Sequence, residues 1–213
     1  MRISNSIIPV LNLSLALVDP KETLPQCWKG TNFPPESAWV PFEQSFKIQH
    51  NSMLFNGDSS REISAVKASI GKYAAQTGVP AELILAVIMR ESSGRVDTIC
   101  GDNGLSCGIM QVQGPGSFIT CKERPCSNEV IDNMVRCGTV GGCPGQTGSN
   151  LATCMSSNSG LFGATASNTG SVTDPTDYAV AQYGIRQYVQ DIANIMLGAE
   201  SATWIKLDQQ CFS

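Results

Sequence analysis

The stretch GVPAELILAVIMRESSGRVDTICGDNGLSCGIMQVQ, residues 78–113, contains the element on which the fold depends. Pro80 suits the first turn of a helix, where a missing N–H breaks no hydrogen bond, and Glu82 complements the positive end of the helix dipole. Residues 83–89 are apolar on every face of roughly two helical turns. The stretch therefore predicts a helix that the protein encloses on all sides and that is too short to span a bilayer.

Glu91 follows this apolar run almost directly. A carboxyl group at the end of a buried helix is partly desolvated, which favours its neutral form and lets it give up a proton near neutral pH. A glycosidase general acid needs this property. The alternative is a solvated Glu91 that only pairs with Arg90 or Arg95, because perturbed acids mark functional sites only statistically.

Three short motifs follow in order: ESSG at residues 91–94, GDNG at 101–104 and GIMQV at 108–112. This series resembles goose-type lysozymes and soluble lytic transglycosylases, in which a helix ending in Glu-Ser precedes a Gly-Asp-x-Gly loop and a Gly-(Leu/Ile)-Met-Gln element. The sequence YVQDIAN at 188–194 resembles the closing helix of secreted fungal members. The resemblance implies a mainly α, lysozyme-like fold with long disulfide-stabilised loops. It also implies cleavage of β-1,4 bonds between the N-acetylated sugars of peptidoglycan.

The resemblance assigns catalytic roles to Glu91 and Asp102. Glu91 is the expected general acid, and Asp102 the residue that positions water, which suits inversion across a carboxyl separation of roughly 6.5 to 9.5 Å. Asp-Asn-Gly is also a strong turn former, so Asp102 has the alternative role of capping a turn. In that case the transglycosylase route is open, in which Glu91 alone protonates the leaving oxygen and then deprotonates the C6 hydroxyl to leave an anhydro end.

The same resemblance implies that Met110 and Gln111 line a substrate cleft, together with Gly108 and Ile109 of their motif. A core methionine and a loop amide are the alternatives for Met110 and Gln111. Ser92 is expected either to hold Glu91 or substrate, or to cap the helix end. Gln113 stands where goose-type enzymes often have an aspartate. A glutamine can hold a water molecule but cannot accept its proton, so the role of base would fall to Asp102 alone.

A further motif, ASNTG at residues 166–170, stands where lytic transglycosylases have Ala-Tyr-Asn-x-Gly. Asn168 and Gly170 match, but Ser167 replaces a tyrosine that lies near the catalytic glutamate in that family. The resemblance therefore implies that Ser167 and Asn168, together with Gln113, contact substrate. Serine lacks the reach and the acidity of tyrosine. An alternative function is therefore a catalytically impaired lysozyme-fold protein that binds glycans or a host partner.

Nine cysteines are many for 213 residues, and most lie among glycine, serine and asparagine at 100–154. This density predicts a disulfide framework and secretion into an oxidising compartment. We expect a clasp between Cys100 and Cys107 around the Asp102 loop, and a tether between Cys27 and Cys211. The odd count leaves one thiol without a partner in the chain. Without Cys-x-x-Cys pairs, and with His50 as the only histidine, the pattern disfavours zinc. No metal or cofactor is expected.

A net charge of −4 provides no basic surface for a phosphate backbone, and aromatic residues are few. We therefore expect no nucleic-acid partner. We also expect no membrane-spanning segment, because no stretch after residue 24 is long and apolar enough to cross a bilayer. The expected partner is a polysaccharide, peptidoglycan first and chitin-type oligomers second, bound in a shaped cleft by a monomer.

The chain divides into three predicted parts. Residues 1–24 form a signal peptide, because Arg2 precedes an apolar stretch at 7–18. Residues 25–58 form an irregular wrap with a short helix at 42–48, and its aromatic side chains either anchor it to the core or provide a sugar platform. Residues 59–213 form the lysozyme-like domain. Apolar spacing and caps predict its further helices from Ser60 to before Gly78, at 128–135, at 150–156 and at 183–197.

Overall fold

The computed structural model of the chain describes residues 26–28, 30–114, 120–157, 174, 176–178 and 187–200. These residues are mainly helical. The helices are α1 (Phe42–Phe55), α2 (Ser60–Thr77), α3 (Ala81–Ser92), α4 (Asn128–Thr139), α5 (Leu151–Ser157) and α6 (Tyr188–Met196). Short 3-10 turns cover Glu36–Ala38 and Asp102–Gly104. Strands β1 (Ser106–Cys107) and β2 (Val112–Gln113) form a small antiparallel hairpin.

Helix α3 lies at the centre, as its composition predicts. It packs against α1, α2 and α6, while α2 also packs against α4. Every residue at positions 83–89 is 0% exposed, so the prediction of a helix buried on all faces is confirmed. Within the part of the chain that the structure describes, no helix has both the length and the apolar character needed to cross a bilayer.

Helix α2 begins and ends at the predicted signals. The Ser59 side chain accepts from the Glu62 N–H while the Glu62 carboxylate accepts from the Ser59 N–H, which completes a capping box. Gly78 follows in the left-handed conformation that favours glycine at a helix end. Ile63, Val66, Ile70 and Tyr73, which fall on one face of this helix, are buried, and Ala74 is partly buried against the core.

Helix α1 differs from its prediction, because it continues to Phe55 and contributes to the core. Its buried side chains are Ser45, Phe46, Gln49 and Met53, so half of the buried face is polar and the apolar period is weak. Gln49 is satisfied by donating from Nε2 to the Ala199 carbonyl at 2.8 Å. The second half of the predicted irregular wrap is therefore a regular core helix.

The first half of the predicted wrap is tied to α6 by side-chain amides. The Asn194 amide accepts from the Gln26 N–H at 2.7 Å and donates to the Gln26 carbonyl at 2.9 Å. Gln190 pairs with both backbone groups of Trp28 in the same way. The partly buried aromatic rings of this segment pack against the core, which confirms their anchoring role: Trp28, Phe33, Trp39 and Phe42. Phe55 is the exception, at 93% exposed.

Disulfides join Cys100 to Cys107, Cys121 to Cys126 and Cys137 to Cys143. The predicted clasp around the Asp102 loop is confirmed. Cys27 is also disulfide-bonded, and its predicted partner Cys211 lies outside the described residues. Cys154 keeps a buried thiol. Bonds of this kind form and persist in oxidising compartments, which fits the predicted export; the predicted signal peptide at 1–24 lies outside the described residues.

The remaining helix predictions are close to the structure. Helix α4 begins at the predicted Asn128 and runs on to Thr139, and α5 covers nearly the predicted range. Helix α6 lies inside the predicted range of 183–197, of which 183–186 fall outside the described residues.

Candidate active site

Glu91 lies in the last turn of α3, where the buried helix reaches the surface. The chain then turns sharply, because Ser93 and Gly94 adopt left-handed φ angles of 53° and 80°. A Cβ at Gly94 would lie 2.6 Å from Met53 Cγ, so only glycine lets this turn approach α1. The turn leaves Glu91 half-buried at the end of the core helix.

The Glu91 carboxyl is held by a tyrosine of another helix. The Tyr188 hydroxyl donates to Glu91 Oε1 at 2.6 Å, across a separation of 97 residues. Tyr188 is 7% exposed at the start of α6, which packs along α3. The hydrogen bond orients the carboxyl group where the end of α3 meets the start of α6.

Burial raises the pKa of Glu91 to about 7, from an ordinary value of 4.5. The charge of Asp102 adds to this rise, whereas the Tyr188 hydrogen bond and the Arg90 cation oppose it. A carboxyl group with such a pKa is partly protonated at neutral pH and can therefore act as a general acid. The expectation from the sequence for Glu91 matches this environment.

Asp102 lies on the loop that the Cys100–Cys107 disulfide closes. Asp102 and Asn103 both have left-handed φ angles, of 49° and 56°, in a tight 3-10 turn. The Ser106 hydroxyl donates to Asp102 Oδ2 at 2.5 Å, so the carboxylate does stabilise the turn. It is also exposed, and its charge acts on Glu91. Both alternatives for Asp102 therefore remain compatible with its position.

The amide of Gln111 holds this loop in place. Its Oε1 accepts from the Gly101 N–H at 2.9 Å, and its Nε2 donates to the carbonyls of Ile99 at 3.2 Å and Gly108 at 3.0 Å. Gln111 has a left-handed φ of 45°, which turns the side chain back towards the loop. Its observed hydrogen bonds therefore correspond to the loop-amide alternative rather than to an amide presented to sugar.

Ser92 joins the first and third motifs. Its hydroxyl lies 3.0 Å from the Ile88 carbonyl and 2.9 Å from the Ile109 carbonyl, so it fastens the end of α3 to the 108–111 turn. Ser92 thus ties the last turn of α3 to the neighbouring loop, while Ser93 is the residue at the C-cap.

Ile109 and Met110 are buried, at 0% and 4% exposed. Met110 packs on α4 at Gly138, where a Cβ would lie 2.5 Å from Met110 Sδ. The side chains therefore form the core beneath the loop, contrary to the expectation that they line an open cleft, because Gly138 opens a place for Met110 on the inner side. Gly108 is buried with them.

Gln113, another predicted substrate contact, lies on the hairpin. It is exposed at the end of β2, and its carbonyl accepts from the N–H groups of Thr147 at 2.9 Å and Gly148 at 3.1 Å. The loop before α5 thus extends the hairpin edge. Ser167 and Asn168 lie outside the described residues.

Tyr188 is a candidate site residue that the sequence patterns did not single out. The helical period of α6 places it on the inner face, where a tyrosine is read as core. Its polar hydroxyl was a signal, because a buried tyrosine needs a hydrogen-bond partner. Only the packing of α6 on α3 identifies Glu91 as that partner.

Removing the Tyr188 hydroxyl should leave the Glu91 carboxyl group less well oriented. If the protein cleaves glycan, as the resemblance of its motifs implies, kcat should fall about tenfold in Tyr188→Phe, because the carboxyl group loses its orientation. The loss of a bond that lowers the pKa of Glu91 should also move the alkaline limb of the pH–rate profile upward. Tyr73→Phe is a matched control, since that buried hydroxyl donates to Asp132 at 2.6 Å. An unmoved alkaline limb in Tyr188→Phe would contradict the assignment.

Among the described residues, no group of three His, Cys, Asp or Glu side chains is placed to hold a metal ion. Comparisons of the chain with protein-family models, with curated proteins and with solved structures each find no match.

Proposed function

We propose that the protein is a secreted glycosidase that cleaves β-1,4 bonds between N-acetylated sugars, with Glu91 as the general acid. Peptidoglycan is the substrate that we favour, ahead of chitin-type oligomers. One observation carries the proposal: a half-buried carboxyl group with a pKa near 7 lies at the end of the core helix, hydrogen-bonded to Tyr188. The resemblance of the motifs at 91–94, 101–104 and 108–112 to goose-type lysozymes and lytic transglycosylases names the substrate class.

In this mechanism Glu91 protonates the glycosidic oxygen as the bond to the sugar breaks. Tyr188 keeps the carboxyl aimed at that oxygen. Asp102 then has one of two relations to the reaction. As a base it would activate water and give hydrolysis with inversion. Without that step, the substrate's acetamido group would stabilise the positive sugar, and Glu91, now ionised, would take the C6 hydroxyl proton as that oxygen forms a bond to C1, giving an anhydro end.

Product analysis tests the function directly. Purified peptidoglycan and chitin oligomers are incubated with the wild-type protein and with Glu91→Gln, and the fragments are identified by mass spectrometry. New reducing ends would identify hydrolysis, and anhydro ends transglycosylation. Equal fragments from both proteins would disprove the role of Glu91. Binding of glycan without any fragments would establish the alternative, a glycan-binding protein with a lysozyme-like site.

The pKa of Glu91 also predicts the pH dependence. The general acid must carry its proton, and its pKa is about 7. We therefore expect kcat to fall as the pH rises through about 7, roughly tenfold for each pH unit above it. Initial rates on solubilised glycan between pH 4 and 9 would check this, and a rate that is still rising at pH 9 would contradict it.

A further inference from the structure

Arg90 is the residue next to the proposed acid, yet its side chain is directed towards another helix. Arg90 Nε lies 2.7 Å from Asp191 Oδ2 on α6. The two side chains are 16% and 2% exposed, so the ion pair is almost completely removed from solvent. Nothing in the proposed chemistry uses either residue.

A buried ion pair is seldom explained by stability alone. The desolvation of two charges often cancels their attraction, and well-packed apolar residues in their place are often as stable or more stable. The pair that joins α3 to α6 therefore calls for another explanation.

Arg90 also contacts the tyrosine that holds the acid. Its guanidinium carbon lies 5.6 Å from the centre of the Tyr188 ring, the arrangement of a cation–π interaction. Tyr188 in turn donates to Glu91. Adjacent residues on α3 are thus linked to residues one turn apart on α6, with Arg90 joined to Asp191 and Glu91 joined to Tyr188.

The electrostatic balance around Glu91 depends on this arrangement. Among the described residues, the groups that act on its carboxyl are Tyr188 from α6, Arg90 from α3 itself and Asp102 from the disulfide-closed loop. Arg90 lowers the pKa of Glu91. Asp191 is the counter-charge of that cation, so it limits how strongly Arg90 favours the ionised carboxylate.

We propose that Asp191 is a positioning residue for Glu91: it holds the Arg90 cation in the α3–α6 contact, against the Tyr188 ring, and so limits how strongly that cation acts on the Glu91 carboxyl group. The importance of this positioning for catalysis rests on the proposed function. The charge balance itself does not, because it concerns only the equilibrium of the Glu91 carboxyl.

The test is a direct titration of Glu91. Carboxyl carbon NMR of protein with labelled glutamate follows the Glu91 signal, which is assigned by its loss in Glu91→Gln. In Asp191→Asn, an almost isosteric change that removes the charge of Asp191, the Arg90 cation should move the titration midpoint down by about one pH unit. Asp191→Glu retains the charge, so its titration midpoint should stay close to that of the wild type.

Removing both charges should cancel the effect. The double variant Arg90→Gln with Asp191→Asn should bring the midpoint back towards the wild-type value, because neither charge remains. Asp132→Asn is the matched control, since Lys72 pairs with Asp132 at 2.8 Å and lies 4.7 Å from the Tyr73 ring centre between α2 and α4. It should leave the Glu91 midpoint unchanged.

The outcomes separate this proposal from the proposed function. An unchanged midpoint in Asp191→Asn, or a double variant shifted as far as the single one, would overturn the positioning role. If the protein cleaves glycan, the alkaline limb of kcat should shift with the NMR midpoint. If it cleaves none, the proposed function fails while the titration still decides the role of Asp191.

Discussion

Replacing Glu91 with glutamine should lower kcat for glycan cleavage by about a thousandfold, because general acid catalysis by a positioned side chain contributes roughly 10²- to 10⁴-fold. Glutamine keeps an oxygen that can accept from Tyr188, so the site should retain its shape. Substrate affinity should therefore change little. Steady-state kinetics would show the loss in kcat rather than in KM, and retention of more than a tenth of the rate would contradict the role.

The same variant should be more stable than the wild type at alkaline pH. The pKa of Glu91 is raised in the fold from about 4.5 to about 7, so the folded state disfavours the ionised carboxylate. The folded chain binds the proton more tightly, so stability falls as the pH rises through this window and the full cost is present above about 7.

Neutral glutamine avoids that cost. Allowing for the partial exposure of Glu91, we expect Glu91→Gln to raise the free energy of unfolding by about 2 kcal/mol at pH 8 and to change it little at pH 4. Denaturant unfolding at both values would measure this. The exposed Glu123→Gln is the control for the loss of one surface carboxyl group from the chain. An equal change in the free energy of unfolding at pH 4 and pH 8 would indicate that burial does not disfavour the ionised Glu91 carboxylate.

Removal of the Cys100–Cys107 disulfide should cause the second largest loss of activity. In the double variant Cys100→Ser with Cys107→Ser, we expect kcat to fall about a hundredfold while the helical circular dichroism spectrum is retained. Left-handed conformations of non-glycine residues cost on the order of 1 kcal/mol each, and Asp102 and Asn103 both adopt them inside this clasp. Without the clasp the turn can relax and carry Asp102 away from Glu91.

A second short disulfide provides the control. The Cys137–Cys143 bond has a sequence separation of 6, against 7 for Cys100–Cys107, so the two should contribute similarly to global stability through chain entropy. Cys137→Ser with Cys143→Ser should therefore lower Tm by a similar amount but leave most of the activity. Equal losses of activity in the two double variants would mean that the Asp102 loop has no special role in the reaction.

The sequence by itself determined the parts of the protein that depend on neighbouring residues. A run of apolar residues predicts that α3 is buried, and Glu91 must then lie where that helix ends. Local hydrogen-bond chemistry predicts the cap at Ser59 and the stop at Gly78, and a short spacing predicts the Cys100–Cys107 bond. Each of these depends on contacts within a few positions along the chain.

Tertiary structure alone decided what surrounds the acid. Tyr188 reaches Glu91 across 97 residues, and Asp191 reaches Arg90 from the same helix, because α6 packs along α3. The inward position of Met110 likewise depends on the space above Gly138 in α4. Helical periodicity predicts which face of a helix is buried but not which helix covers it. The raised pKa of Glu91 therefore follows from packing that no local pattern in the chain contains.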